Sequence, residues 1–111
     1  MAYDESVAQR IREILIALDP AFEEKKMFGF LCFMVHGKLC CGTRTDKKTG
    51  EHFLLCRVSP EVFEREVEKD ECEPLVFKNK SMTRLLLVRP EGYASARQLK
   101  AWINLSLKTR S

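Results

Sequence analysis

The segment Phe30-Leu31-Cys32-Phe33-Met34-Val35 is apolar at every position. Successive side chains of an extended strand go to opposite faces of a sheet. The run therefore sends Phe30, Cys32 and Met34 to one side and Leu31, Phe33 and Val35 to the other. The same two-sidedness recurs at Phe53-Leu54-Leu55-Cys56, and again at Leu85-Leu86-Leu87-Val88. An antiparallel sheet with one wet face alternates apolar and polar residues, and these runs do not. The chain must build a sheet whose two faces are both shielded at the centre, either by helices on both sides or by a second copy of the chain.

Helical segments flank these runs. Ser6-Val7-Ala8-Gln9 has the form of a capping box, and Val7, Ile11, Ile14, Leu15 and Leu18 follow at helical spacing. This predicts a first helix starting near Asp4 or Ser6 and ended by Pro20. Strands are expected over Glu24 to Phe28, Phe30 to Val35, Lys38 to Arg44 and His52 to Val58. His36-Gly37 makes a hairpin turn, and Asp46 to Gly50 an exposed loop. Ser59-Pro60-Glu61 opens a second helix: a hydroxyl cap, proline at the first helical position and an acid at the positive end of the dipole. Its buried stripe is Phe63 and Val67. Cys72 to Lys80 reads as irregular or weakly extended, Thr83 to Arg89 as a strand, and Pro90-Glu91-Gly92 as a turn. Ser95-Ala96-Arg97-Gln98 is a second capping box, opening a helix with Leu99, Trp102, Ile103 and Leu107 on one face. Short connections between strands imply an antiparallel sheet. The order is helix, three or four strands, helix, one or two strands, helix.

The chain has 111 residues, 45% hydrophobic and 32% charged, which suits one α+β domain spanning residues 1–111. The N-terminus lacks a basic and apolar leader, and no apolar run approaches the ~18–20 residues needed to cross a bilayer. A cytoplasmic protein is expected. Its cysteines, Cys32, Cys40, Cys41, Cys56 and Cys72, are odd in number, which argues for reduced thiols rather than a disulfide framework.

The stretch Lys25-Lys26-Met27-Phe28-Gly29-Phe30-Leu31-Cys32-Phe33-Met34-Val35-His36-Gly37-Lys38-Leu39-Cys40-Cys41-Gly42 resembles the hallmark of the TfoX/Sxy N-terminal domain family. Met1-Ala2-Tyr3-Asp4-Glu5, Arg57-Val58-Ser59-Pro60-Glu61 and Val88-Arg89-Pro90-Glu91-Gly92 resemble it at the expected intervals. A second glycine often follows Met-Phe-Gly in similar chains, where this one has Phe30. The resemblance implies a sheet flanked by helices in the order α-β(3)-α-β(2)-α, similar to secretion-chaperone folds. It supplies no catalytic residues. Members that regulate natural competence continue into a C-terminal domain, whereas this chain ends at Ser111, so a stand-alone domain is expected and the competence role does not transfer with the resemblance.

Templates for chemistry find little support. His36, Cys32, Cys40 and Cys41 lie close in sequence, but zinc needs four converging ligands, and neighbours Cys40 and Cys41 on a strand are expected on opposite faces. A reactive thiol needs a base or a positive environment, and neither His36 nor His52 lies in a catalytic cysteine motif. The glycines match no nucleotide fingerprint. Glu23, Glu24, Glu64, Glu66 and Glu68 read as solvated faces. Lys25, Lys26, Arg44, Lys47, Lys48, Lys78, Lys80 and Arg84 would favour nucleic acid only if the fold gathered them, against the acids of the second helix and a net charge of +3.

The expected function is a non-enzymatic regulatory or adaptor domain that binds a protein partner, with no cofactor, metal or membrane contact. A homodimer is one candidate assembly. The alternatives are a small-ligand- or metal-dependent enzyme built on the cysteine-bearing hairpin, which elemental analysis would reveal, and a nucleic-acid-associated regulator, which a salt titration would reveal.

Overall fold

A computed structural model describes residues 3–18 and 21–108. The elements are α1 (Glu5–Leu18), β1 (Phe22–Met27), β2 (Phe30–Val35), β3 (Lys38–Thr45), β4 (His52–Arg57), α2 (Pro60–Glu66), β5 (Cys72–Phe77), β6 (Lys80–Val88), a 3-10 turn at Pro90–Gly92, and α3 (Ala96–Lys108). The six strands form one sheet in the order β1-β2-β3-β4-β6-β5, every neighbouring pair antiparallel. The α+β class is the expected one. Four strands precede α2, where the resemblance implied three; the extra one is β1, an edge strand with four exposed residues.

The helix starts obey local chemistry. Asp4, not Ser6, caps α1: its carboxylate accepts the Val7 N–H at 3.3 Å and also the Ser6 hydroxyl. Asp4 immediately precedes the helix, whereas Ser6 lies within its first turn. Ser59 caps α2 through Val62 N–H at 3.2 Å. The second capping box closes in both directions, Gln98 N–H to Ser95 Oγ at 3.1 Å and Ser95 N–H to Gln98 Oε1 at 2.9 Å. The expected role of Pro20 falls outside the described residues.

All three helices pack on one face of the sheet. Val7, Ile11 and Leu15 of α1, Val62, Phe63 and Val67 of α2 and its C-terminal end, and Leu99, Trp102 and Ile103 of α3 join Leu31, Phe33, Leu54, Cys56, Leu86 and Val88 in a single cluster. The other face carries a second cluster built by strands alone: Phe30, Cys32, Phe53, Leu55 and Leu87, rimmed by half-buried Met27, Met34, Leu39, Leu75 and Leu85. The two-sided runs thus divide between the faces as the alternation requires. Helices cover only one of the two faces. The centre of the helix-free face is 2–6% exposed within one chain, closed by the sheet's own side chains and by the Arg44 guanidinium, 4.4 Å from the centre of the Phe30 ring.

The stretch from Cys72 to Lys80, expected to be irregular or weakly extended, is strand β5 and its turn. Its ladder to β6 runs from Cys72↔Val88 to Phe77↔Lys80, with an irregularity between Pro74 and Val76. Arg89 ties its start down, bonding Asp70 O at 2.6 Å and Glu73 Oε1 at 2.5 Å. Proline lacks a ladder donor and is tolerated on an edge strand, which hides the strand from local reading.

Candidate functional site

The cysteine-bearing hairpin comes first. Cys40 and Cys41 do not face opposite ways. The register jumps from Phe33↔Cys41 to Met34↔Leu39, so Cys40 is the extra residue of a β-bulge, and both thiols enter the helix-covered core. A bulge sets two residues against one and turns the strand locally, which period-two reading cannot foresee. Cys56 stands directly across from Cys41. The Cys41 thiol donates to Cys40, holding Cys40 below the ordinary thiol value with help from Arg57, while Cys41, wholly buried, is held well above it. Burial pushes Cys56 well up, and Ser106 lies beside it with a buried hydroxyl that has no partner in good hydrogen-bonding geometry. All five cysteines are free and buried.

The histidines are elsewhere. His36 is exposed in the β2–β3 turn, at φ +53. His52 lies past the far end of β3, its Nδ1 2.8 Å from Thr45 Oγ1. Neither adjoins the thiols as a base would. Among the described residues no group of three or more His, Cys, Asp or Glu could hold a metal ion.

Two carboxylates read as solvated are ion-paired; Glu24 stays exposed, whereas Glu66 is buried. Glu24 accepts the Arg12 guanidinium at 2.6 and 2.9 Å. Glu66 is 7% exposed, held by Arg65 at 2.8 Å and Lys69 at 2.7 Å. Sequence reasoning missed Glu66 because only the tertiary fold sets its exposure; the signal available was Lys69 at helical spacing.

The basic residues fall into two groups. The β1–β2 turn and the β3–β4 loop share one end of the sheet, so Lys25, Lys26, Arg44, Lys47 and Lys48 lie toward the β1 edge. Lys78, Lys80 and Arg84 lie on β5 and β6 and their turn, at the other end and the other edge. No single patch collects all eight.

Three of the first group, Arg44, Lys47 and Lys48, line a cleft of about 900 Å³ together with Gly29, Thr45, Asp46 and Gly50. On its rim, beside Gly29, stands Phe28. Sequence reading placed Phe28 at the end of a strand. It is instead the first residue of the β1–β2 turn, at φ +54 and 71% exposed. Gly29 follows at φ +80, and the His36-Gly37 and Lys78-Asn79 turns repeat this pair of positive φ values. The other two turns begin with a polar residue; this one holds a bulky, largely exposed aromatic in a backbone region that L side chains avoid.

The fold thus defines a one-layer antiparallel sheet with helices on a single face, and the Phe28 turn and the basic cleft share one end of it. The chain belongs to the TfoX N-terminal domain family, whose model matches residues 13–109. It is similar in fold to a crystal structure of a protein from Pseudomonas syringae, with a TM-score of 0.62 and 18% identity over 89% of this chain and 93% of that one. No curated protein matches. No described helix is long and apolar enough to cross a membrane.

Proposed function

We propose that this domain is a cytoplasmic regulatory or adaptor module that acts by binding a protein partner rather than by catalysis. The observation that carries the reading is Phe28, an aromatic ring 71% exposed on a hairpin turn at φ +54. Asparagine or glycine would satisfy that turn at lower cost. Strained, exposed residues of this kind cluster at functional positions, and aromatics dominate binding hot spots.

The test is Phe28→Asn. The variant keeps or raises the melting temperature, because asparagine tolerates positive φ. Crosslinking in extract of the native host, followed by identification of the captured proteins, recovers a defined partner with the wild-type chain and loses it with the variant. Identical capture by both chains would remove the reading's support.

A second copy of the chain is the alternative partner. It is favoured by the helix-free face, where Met34, Leu39, Leu75 and Leu85 are half-buried. Sedimentation equilibrium across micromolar concentrations separates the two: a mass fixed at 12.9 kDa excludes the homodimer.

A further inference from the structure

We infer that the cleft beside the Phe28 turn takes an acidic segment of a partner protein, its carboxylates in the cleft and an apolar side chain against Phe28. The inference rests on the protein-binding reading above and names the chemistry of the partner.

Charge comes first. Arg44, Lys47 and Lys48 line the cleft with Asp46. The ion pairs of the described residues use Arg12, Arg65, Lys69 and Arg89, and none uses these three cations. The Asp46 carboxylate is turned to its own loop, accepting Thr49 Oγ1 at 2.8 Å and Thr49 N–H at 3.2 Å. The cleft therefore keeps an excess of positive charge. Asp46 attracts Arg44 through space but forms no close ion pair with any of the three, so a group entering the cleft trades water for cations that still lack one.

Position comes second. The Arg44 guanidinium is not a loose surface cation. It lies over the Phe30 ring at 4.4 Å and is half-buried, on a strand rather than a loop. A guanidinium fixed in this way loses little freedom on pairing and presents a planar fork suited to a carboxylate. Gly29 lines the wall beside Arg44; a Cβ there would stand 3.6 Å from Arg44 Cδ. The exposed Phe28 ring adjoins that wall, so cations and an aromatic anchor share one rim.

A single nucleic-acid strand fits less well. Such strands need a continuous basic track and successive aromatic platforms. Here three cations in the cleft are interrupted by Asp46, one aromatic stands at the rim, and Lys78, Lys80 and Arg84 are at the opposite end of the sheet.

The experiment records amide shifts of the labelled full chain with three probes: a short peptide of glutamate and leucine, the same peptide with glutamine in place of glutamate, and an oligothymidylate. The acidic peptide is expected to move the amides of Gly29 and of Arg44 to Gly50, and the glutamine peptide to leave them in place. Lys47→Glu with Lys48→Glu should weaken the acidic peptide about tenfold or more, while Lys78→Glu with Lys80→Glu should not weaken it. Three results would each overturn the proposal: no shift at the cleft, equal loss from the remote pair, or binding of the oligothymidylate alone. If Phe28→Asn abolishes partner capture while the acidic peptide leaves the cleft unmoved, the protein-binding reading stands and this assignment of the partner's chemistry fails.

Discussion

The indole N–H of Trp102 donates to the carbonyl oxygen of Gly92 at 3.0 Å, both groups buried. This bond joins α3 to the 3-10 turn that follows β6. The turn is closely packed: a Cβ on Gly92 would stand 2.5 Å from Val88 Cγ1 and 2.8 Å from Glu71 Cγ. Glycine is required there for space. Trp102 is 8% exposed and anchors the helix as its place on the apolar stripe predicted. Trp102→Ala is expected to cost about 3–5 kcal/mol in urea unfolding. Trp102→Phe keeps most of the ring but strands the Gly92 carbonyl, for about 1–3 kcal/mol. A phenylalanine variant as stable as wild type would show that the hydrogen bond contributes nothing.

The five buried thiols should be silent to a water-soluble thiol reagent in the native protein and should all react after denaturation without reductant. Burial raises Cys32, Cys56 and Cys72, the last to about 11. Rapid native labelling at Cys40, the one thiol held below its ordinary value, would show that the bulge opens to solvent.

Stability should fall on the alkaline side. The Tyr93 hydroxyl is buried, donates to the His52 carbonyl, and is pushed by burial from 10.0 to about 12. A group whose folded value is raised contributes stability below its unfolded value and loses it as pH rises toward the folded one. For Tyr93 that window is pH 10 to about 12, with a loss on the order of 2–3 kcal/mol. The raised thiols begin the decline near their unfolded value of 9.0. Tyr93→Phe should flatten only the part above pH 10. An unaltered alkaline limb in that variant would assign the loss to the thiols.

On the acid side Glu66 works in the opposite sense. Burial acts to raise its carboxyl, but Lys69 and Arg65 together hold it below the ordinary 4.5. Its contribution is present above that value and is lost as pH falls through the lower folded one. Both cationic partners are half or more exposed, so Glu66→Gln should cost only about 1 kcal/mol at neutral pH and make the acid limb shallower. Equal acid limbs in variant and wild type would show that the pair contributes no net stability.

The helix starts, the hairpin turn at His36-Gly37, the two-sided strands and the Trp102 stripe were all legible in the sequence, because each rests on a contact within a few residues or on a fixed periodicity. The Ser95 and Gln98 side chains find each other over three positions, and alternation in Phe30 to Val35 divides its residues between faces whatever lies above them. The family hallmark was legible for the same reason, as an ordered string of residues. The candidate site was only partly so. Arg44, Lys47 and Lys48 stood in a basic set, and nothing local separated them from Lys78, Lys80 and Arg84; strand order did that.

Long-range pairing decided the rest. β5 forms because β6 offers a ladder, not because Glu73-Pro74-Leu75 prefers to be extended. Cys40 joins Cys41 in the core because the β2–β3 register slips by one residue, a misfit between two strands that neither one encodes alone. Glu66 is buried, and the apolar centre of the helix-free face is closed, through side chains brought in from other elements. Phe28 was read as the end of a strand; it is exposed because the ladder to β2 ends at Met27↔Phe30 and leaves Phe28 and Gly29 to make the turn. Sequence determined which residues are apolar, which can cap and which can turn. Only the tertiary structure decided which of them face water, since exposure depends on every element packed around a residue.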